Sequence, residues 1–192
     1  LMNGSKTRGT ISFTTMLGDN VTKIGPSDDF VSTLSTLQDG DIIALEPGEY
    51  TVNEDVEINK TISIQGYRPA DKPILKGLVL KVKAGAGLTI KDVIMDGAGN
   101  SSQNQSIFYD EDLNTAYGEL FIENSEFRNY VKGLLYVNKK VRISKVTYSN
   151  NLIYNIECSG GDFIDFRNGI VDELYFRNNT VYNSALARDL FR

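Results

Sequence analysis

The chain has 192 residues, 41% hydrophobic and 23% charged, a balance that suits one folded unit rather than disorder. With a formal charge of −5 it offers no basic footprint for a phosphate backbone, so nucleic acid is not an expected partner, and no apolar run approaches the ~20 residues that span a bilayer. Histidine is absent, which removes Ser-His-Asp and Cys-His nucleophiles and His-ligated zinc; any catalysis would rest on Lys, Arg, Tyr or carboxylates.

In chain order, Asn3-Gly4 signals a turn, and Thr10-Ile-Ser-Phe-Thr-Thr15 alternates β-branched and polar residues as a strand does. This stretch resembles the last strand of a fibronectin type III domain, which would make residues 1–15 the end of a preceding module and 16–192 the domain proper. A first edge strand of the present domain is the alternative. No basic region followed by an apolar stretch opens the chain, and a leader removed before residue 1 would leave no trace. Between Pro26 and Gly40 the period lengthens to about 3.6. Ser27 is placed to cap a helix over 27–39, Asp28 and Asp29 sit at its positive end, and Phe30, Val31, Leu34 and Leu37 form one stripe. Such a helix would cover the open apolar end of a repeat array, although a partner could use the same face.

Asp39 to Tyr50 reads as a buried strand and a Pro47-Gly48 corner, followed by short strands at Val56–Ile58 and Thr61–Ile64. Ile74 to Val82 is apolar on alternate residues, and Ala84-Gly-Ala-Gly87 is a small-residue turn that a strand follows, not the helix a phosphate loop needs. A ten-residue phrase then recurs from Leu88, Leu120, Val146 and Leu174, at intervals of 32, 26 and 28 residues, with a weaker copy at Ile62. Each copy has two apolar residues separated by one polar residue, an Asn or Asp, another apolar residue, and a closing Asn or Gly. The alternation puts both apolar side chains on one strand face, and Asn or Asp tolerates the left-handed backbone of a corner. Repetition at this period marks a stacked solenoid. Stacking would align Asn124, Asn150 and Asn178 in one amide ladder and Asn129, Asn155 and Asn183 in another, which accounts for these asparagines without glycosylation. The lone Cys158 reads as a small buried filler, since nothing electropositive flanks it to make it reactive.

The segment Asp39-Gly-Asp-Ile-Ile-Ala-Leu-Glu-Pro-Gly-Glu-Tyr50, with Asp71-Lys-Pro-Ile74 beyond it, resembles the opening of the pectin-lyase-like right-handed parallel β-helix proteins, in particular the chondroitinase B and alginate lyase group. With the fibronectin-like start and Phe163-Ile-Asp-Phe-Arg167, the chain is also similar to β-helix domains of bacterial surface polysaccharide-utilisation proteins. The resemblance covers about residues 25–192 and implies an all-β right-handed parallel β-helix of about five to six coils. It further implies a secreted setting (extracellular, cell surface or periplasmic) and a polysaccharide partner, which could be acidic. It carries no catalytic residue over to this chain, because the group's catalytic Lys and Arg lie in later coils.

Two constellations remain after the repeat is accounted for. Asp110, Asp112 and Asn114 alternate in an acidic stretch and could hold Ca²⁺, but Thr115 stands where a calcium loop places glycine and no Glu stands at the bidentate position, so a solvated loop inserted into the coil is the plainer reading. Aligning Gly133-Leu-Leu-Tyr-Val-Asn138 with Phe163-Ile-Asp-Phe-Arg167 points Leu135, Val137, Ile164 and Phe166 inward and Tyr136, Asn138, Asp165 and Arg167 outward on adjacent coils. Those four groups suit a sugar platform, with a surface ion pair as the plainer alternative. Lys139 and Lys140 beyond it are a solvated corner or candidate bases. Three functions follow: a glycan-binding module without catalysis, a polysaccharide lyase or its front part, and a structural or adhesin spacer. Apolar Leu190-Phe191 suits a chain that continues as further coils, and an open last coil would invite pairing with another chain.

Overall fold

The computed structural model describes residues 18–102, 105–109, 116–137, 139–184 and 188–192. The fibronectin-like strand at 1–15 lies outside them. Three parallel sheets enclose one apolar core. The first runs Val21–Ile24, Ile42–Leu45, Ile62–Gly66, Leu88–Lys91, Leu120–Glu123, Arg142–Ser149 and Ile170–Arg177, with Ala116–Tyr117 beside the start of Arg142–Ser149. The second runs Glu49–Thr51, Ile74–Lys76, Ile94–Asp96, Glu126–Arg128, Leu152–Tyr154 and Thr180–Tyr182. The third runs Asp55–Ile58, Val79–Val82, Ile107–Tyr109, Leu135–Tyr136 and Ile164–Asp165. The chain visits the sheets in rotation, which makes a right-handed parallel β-helix of six coils, one for each strand of the second sheet.

The recurring phrase sets the register. Leu88, Leu120, Val146 and Leu174 are mutual partners, and Ile62 continues the row. The apolar residues of the copies at Leu88, Leu120 and Val146 fill the core: Ile90, Ile122 and Tyr148 from the first sheet and Met95, Phe127 and Ile153 from the second are fully buried. A short helix, Phe30–Thr36, adds Phe30, Leu34 and, just past its end, Leu37 to this core, with the Phe30 ring edge-on to Tyr50. Its cap is Asp29 rather than Ser27: the Asp29 carboxylate accepts the Ser32 N–H at 2.9 Å, while Asp28 binds back to the Gly25 N–H. The apolar stretch from Ile74 to Val82 is two strands, not one. Gly77, at φ +68°, turns the chain between them, and a Cβ there would lie 2.2 Å from the Asn53 side chain.

Corner residues Asp92, Asn124, Asn150 and Asn178 all have positive φ, as do Asn129, Asn155 and Asn183. The expected second ladder is present: Asn155 donates to Asn129 at 3.3 Å, and Asn183 donates to Asn155. The first is absent as drawn, because Asn124 donates to Asp92 at 2.6 Å and Asn150 to the Ser149 hydroxyl at 3.1 Å. One residue later the chain turns inward, and there a different ladder forms. Asn151, only 3% exposed, accepts the Ser125 N–H at 2.9 Å and donates to the Asn179 side chain at 3.0 Å, and Asn179 donates to the Tyr148 carbonyl at 2.9 Å. A left-handed residue tightens the corner and leaves neighbouring amides without a strand partner, so the next side chain supplies one.

Residues 188–192 form a further rung on the third sheet. Phe163 and Ile164 donate to the Asp189 and Leu190 carbonyls at 3.1 and 3.0 Å, and Ile164 bridges Phe191. On this last coil Leu174 and Phe191 are 42% and 41% exposed.

Candidate functional site

Between the inward residues of the third sheet one outer row crosses five coils in register: Glu57, Lys81, Phe108, Tyr136 and Asp165. Parallel stacking puts like over like, so the half-buried Phe108 and Tyr136 rings lie face to face, 4.4 Å between centroids and 7° between planes. Below them Lys81 and Lys83 are held by Asp55 and Glu57 at 3.1 and 3.0 Å. The middle of the row is thus aromatic.

At the upper end Arg167 binds Asp165 through Nε at 3.0 Å and Nη2 at 2.6 Å, and its own N–H adds a third donor at 3.1 Å. These hydrogen bonds hold the guanidinium pKa above its ordinary value, aided by the charges of Asp165 and Asp162 and the nearby Tyr136. Asp162 is fully buried and neither carboxylate oxygen has a hydrogen-bond partner among the described residues; Arg167 and Arg192 reach it at 3.7 and 3.8 Å. Two carboxylates and two guanidinia therefore close on one another.

The structure brings together three of the four expected platform residues, with one difference. Tyr136 and Asp165 are register partners and Arg167 adjoins them, but Asp165 is not presented to solvent: it is fully buried. Arg167 folds over it, and Arg192 continues the rung beside it. The alignment of two coils could not show this, because it did not include residues 188–192 as a rung. Asn138 lies outside the described residues, as do Asp110, Asp112 and Asn114. Among the described residues no group of three Asp, Glu, His or Cys side chains could hold a metal ion. Cys158 is buried, and burial, with the charge of Asp162, pushes its thiol pKa up, away from nucleophilic use.

Phe108 was missed by aligning coils in the sequence. The stretch from Ile107 to Leu120 is longer than the matching stretches from Leu135 to Val146 and from Ile164 to Leu174, because the acidic segment is inserted within it. Ile107-Phe-Tyr109, an apolar triplet just ahead of the insertion, was the available signal.

Among the solved structures that share the fold are two of one enzyme. The PL6 family alginate lyase AlyGC superposes with a TM-score of 0.70 at 19% identity, covering 84% of this chain and 24% of the enzyme. An arginine-to-alanine variant of that enzyme gives 0.63 at 16% identity, covering 89% of this chain and 26% of the variant. This chain therefore spans about a quarter of the lyase. No curated protein is a significant match. A family profile matches residues 48–184, most of the β-helix, and the chain belongs to that family, described as Domain of unknown function (DUF4957).

Proposed function

We propose that this domain is a secreted or surface-exposed β-helix module that binds polysaccharide on the outer face of its third sheet, without catalysis of its own. The observation that carries this reading is the stacked Phe108–Tyr136 pair beside the Arg167 guanidinium: a flat aromatic surface for sugar ring faces, next to fixed donors for hydroxyls. The fold shared with an alginate lyase supports a glycan as the ligand class. β-Elimination would need a basic group free to take a proton, whereas Lys81 and Arg167, the cations on either side of the stacked rings, are paired with Asp55 and Asp165.

Glycan-array binding followed by calorimetry tests the proposal. Tyr136→Ala, and separately Phe108→Ala, should abolish or strongly weaken binding with the fold intact. Arg167→Ala is a poor probe because it strands the buried Asp165 carboxylate. Binding unchanged in Tyr136→Ala rejects the platform, and release of unsaturated uronate from any polymer, with or without Ca²⁺, rejects the noncatalytic reading in favour of a lyase.

A further inference from the structure

The corner between the first and second sheets holds an amine, a carboxamide and a carboxylate together across three coils. Asp92 and Asn124 follow the register partners Lys91 and Glu123, so the two corner residues stack on consecutive coils, both at positive φ. Asn124 donates its amide nitrogen to Asp92 Oδ1 at 2.6 Å. Lys72, in the loop that leads into the strand Ile74–Lys76, donates Nζ to Asn124 Oδ1 at 3.4 Å. A carboxylate only accepts and an ammonium only donates, so one orientation of the Asn124 amide satisfies both neighbours.

Lys72 is placed differently from the lysines around it. Lys76, Lys81, Lys83 and Lys91 each hold a carboxylate at 3.0 or 3.1 Å, and Lys60 donates to the Leu37 carbonyl. Lys72 is half-buried and forms no ion pair with a described residue; its partner is a side-chain amide 52 residues further along the chain. One C=O bond separates Oδ1 from Cγ, so the amine stands within about 4.6 Å of the amide carbon. Asp92, 5% exposed, sits on the amide nitrogen of the same group. Nucleophile, acyl group and a proton carrier on the leaving nitrogen are the parts that an amide exchange needs.

We propose that Lys72 and Asn124 join in an intramolecular isopeptide bond. Lys72 Nζ, once it has given a proton to water, attacks Asn124 Cγ; the new C–N bond forms as the C=O electrons move onto Oδ1. Nζ and Nδ2 are then attached to one carbon, so a carboxylate bonded to one lies in reach of the other. Asp92 takes the extra proton from Nζ and passes it to Nδ2. The Cγ–Nδ2 bond breaks, the carbonyl re-forms and ammonia leaves, so amine plus carboxamide gives a substituted amide plus ammonia. The bond ties the second coil to the fourth across the third. Coils of a solenoid contact only their neighbours and can unfold one after another from an end, and a covalent tie over three coils resists that spread.

Mass spectrometry of the denatured whole chain reads the bond directly: the parent should be lighter than its sequence mass by about 17 Da, one ammonia. Trypsin should release a branched peptide that joins residues 61–76 to residues 92–128, with Lys72 attached to Asn124. Lys72→Arg keeps a donor for Asn124 Oδ1 but supplies no attacking amine, so it should show the full sequence mass and a lower thermal midpoint. Asp92→Asn suits the left-handed corner and removes the proton carrier, so it should leave most of the chain unlinked. A parent chain that keeps its full sequence mass after prolonged incubation at neutral pH overturns the inference. So does the same mass loss on a linear peptide, which is ring closure of Asn124 onto its own backbone, or a loss of about 18 Da, which puts the amide on Asp92. Linkage of Asp92→Asn at the parent's rate overturns the role given to Asp92.

Discussion

Replacing Asn151 with Ala tests which of the two asparagine ladders holds the coils together. The Asn151 side chain is 3% exposed, accepts the Ser125 N–H at 2.9 Å, and donates to the Ile122 carbonyl at 3.2 Å and the Asn179 side chain at 3.0 Å. Alanine leaves the Ser125 amide buried without this acceptor, at about 1–3 kcal/mol, and removes two further bonds of about 1 kcal/mol each. The expected loss is roughly 3–5 kcal/mol. The control is Asn155→Gly in the outer ladder, which keeps the left-handed corner at φ 54° and removes part-exposed bonds to Asn129 and Asn183. Its expected loss is about 1–1.5 kcal/mol, including the added backbone freedom of glycine. Urea unfolding followed by far-UV circular dichroism measures both, read as a midpoint shift at constant slope. A loss below about 1 kcal/mol for Asn151→Ala, or one no larger than that of Asn155→Gly, would refute the claim that the inward ladder is the stabilising one.

Three further outcomes are expected. Tyr148→Phe removes a fully buried hydroxyl with no hydrogen-bond partner among the described residues, whose pKa burial pushes well up, so it should raise the thermal midpoint; a lowered midpoint would show that the hydroxyl has a partner. Gly77→Ala should destabilise by more than about 1 kcal/mol, since it combines φ +68° with a Cβ 2.2 Å from Asn53 Oδ1, and a neutral effect measured by urea unfolding would contradict that corner. Burial raises the Asp96 pKa, but donors from Asn129, the Ala98 N–H and Arg128 outweigh it and hold the carboxyl below its ordinary range. Because the folded pKa is depressed, the stabilisation is complete above about pH 4 and is lost as pH falls through the folded value. Asp96→Asn should therefore be less stable than the parent at neutral pH, the difference closing in acid; a gap that persists at low pH rejects the linkage.

The repeat was legible residue by residue. Leu88, Leu120, Val146 and Leu174 align in the sequence and pair in the sheet, because an inward apolar pair followed by an Asn or Asp corner is local chemistry that recurs with the coil. The helix was legible too, though its cap moved from Ser27 to Asp29. Tyr136 and Arg167 were found as neighbours, while Phe108 was hidden by an insertion that shifted its spacing.

The sequence alone thus determined the solenoid, its period and the inward faces, since these depend on contacts within a strand and between consecutive coils. Which outward side chains are free was decided only by tertiary structure. Asp165 is buried and held by Arg167, Arg128 is committed to Asp96 and Glu126, and Lys145 and Arg177 make no ion pair with a described residue. The reason is physical: outward residues of a β-helix meet partners about 26–32 residues away in the chain, and whether a charge is neutralised depends on side-chain reach across coils, which no local pattern encodes.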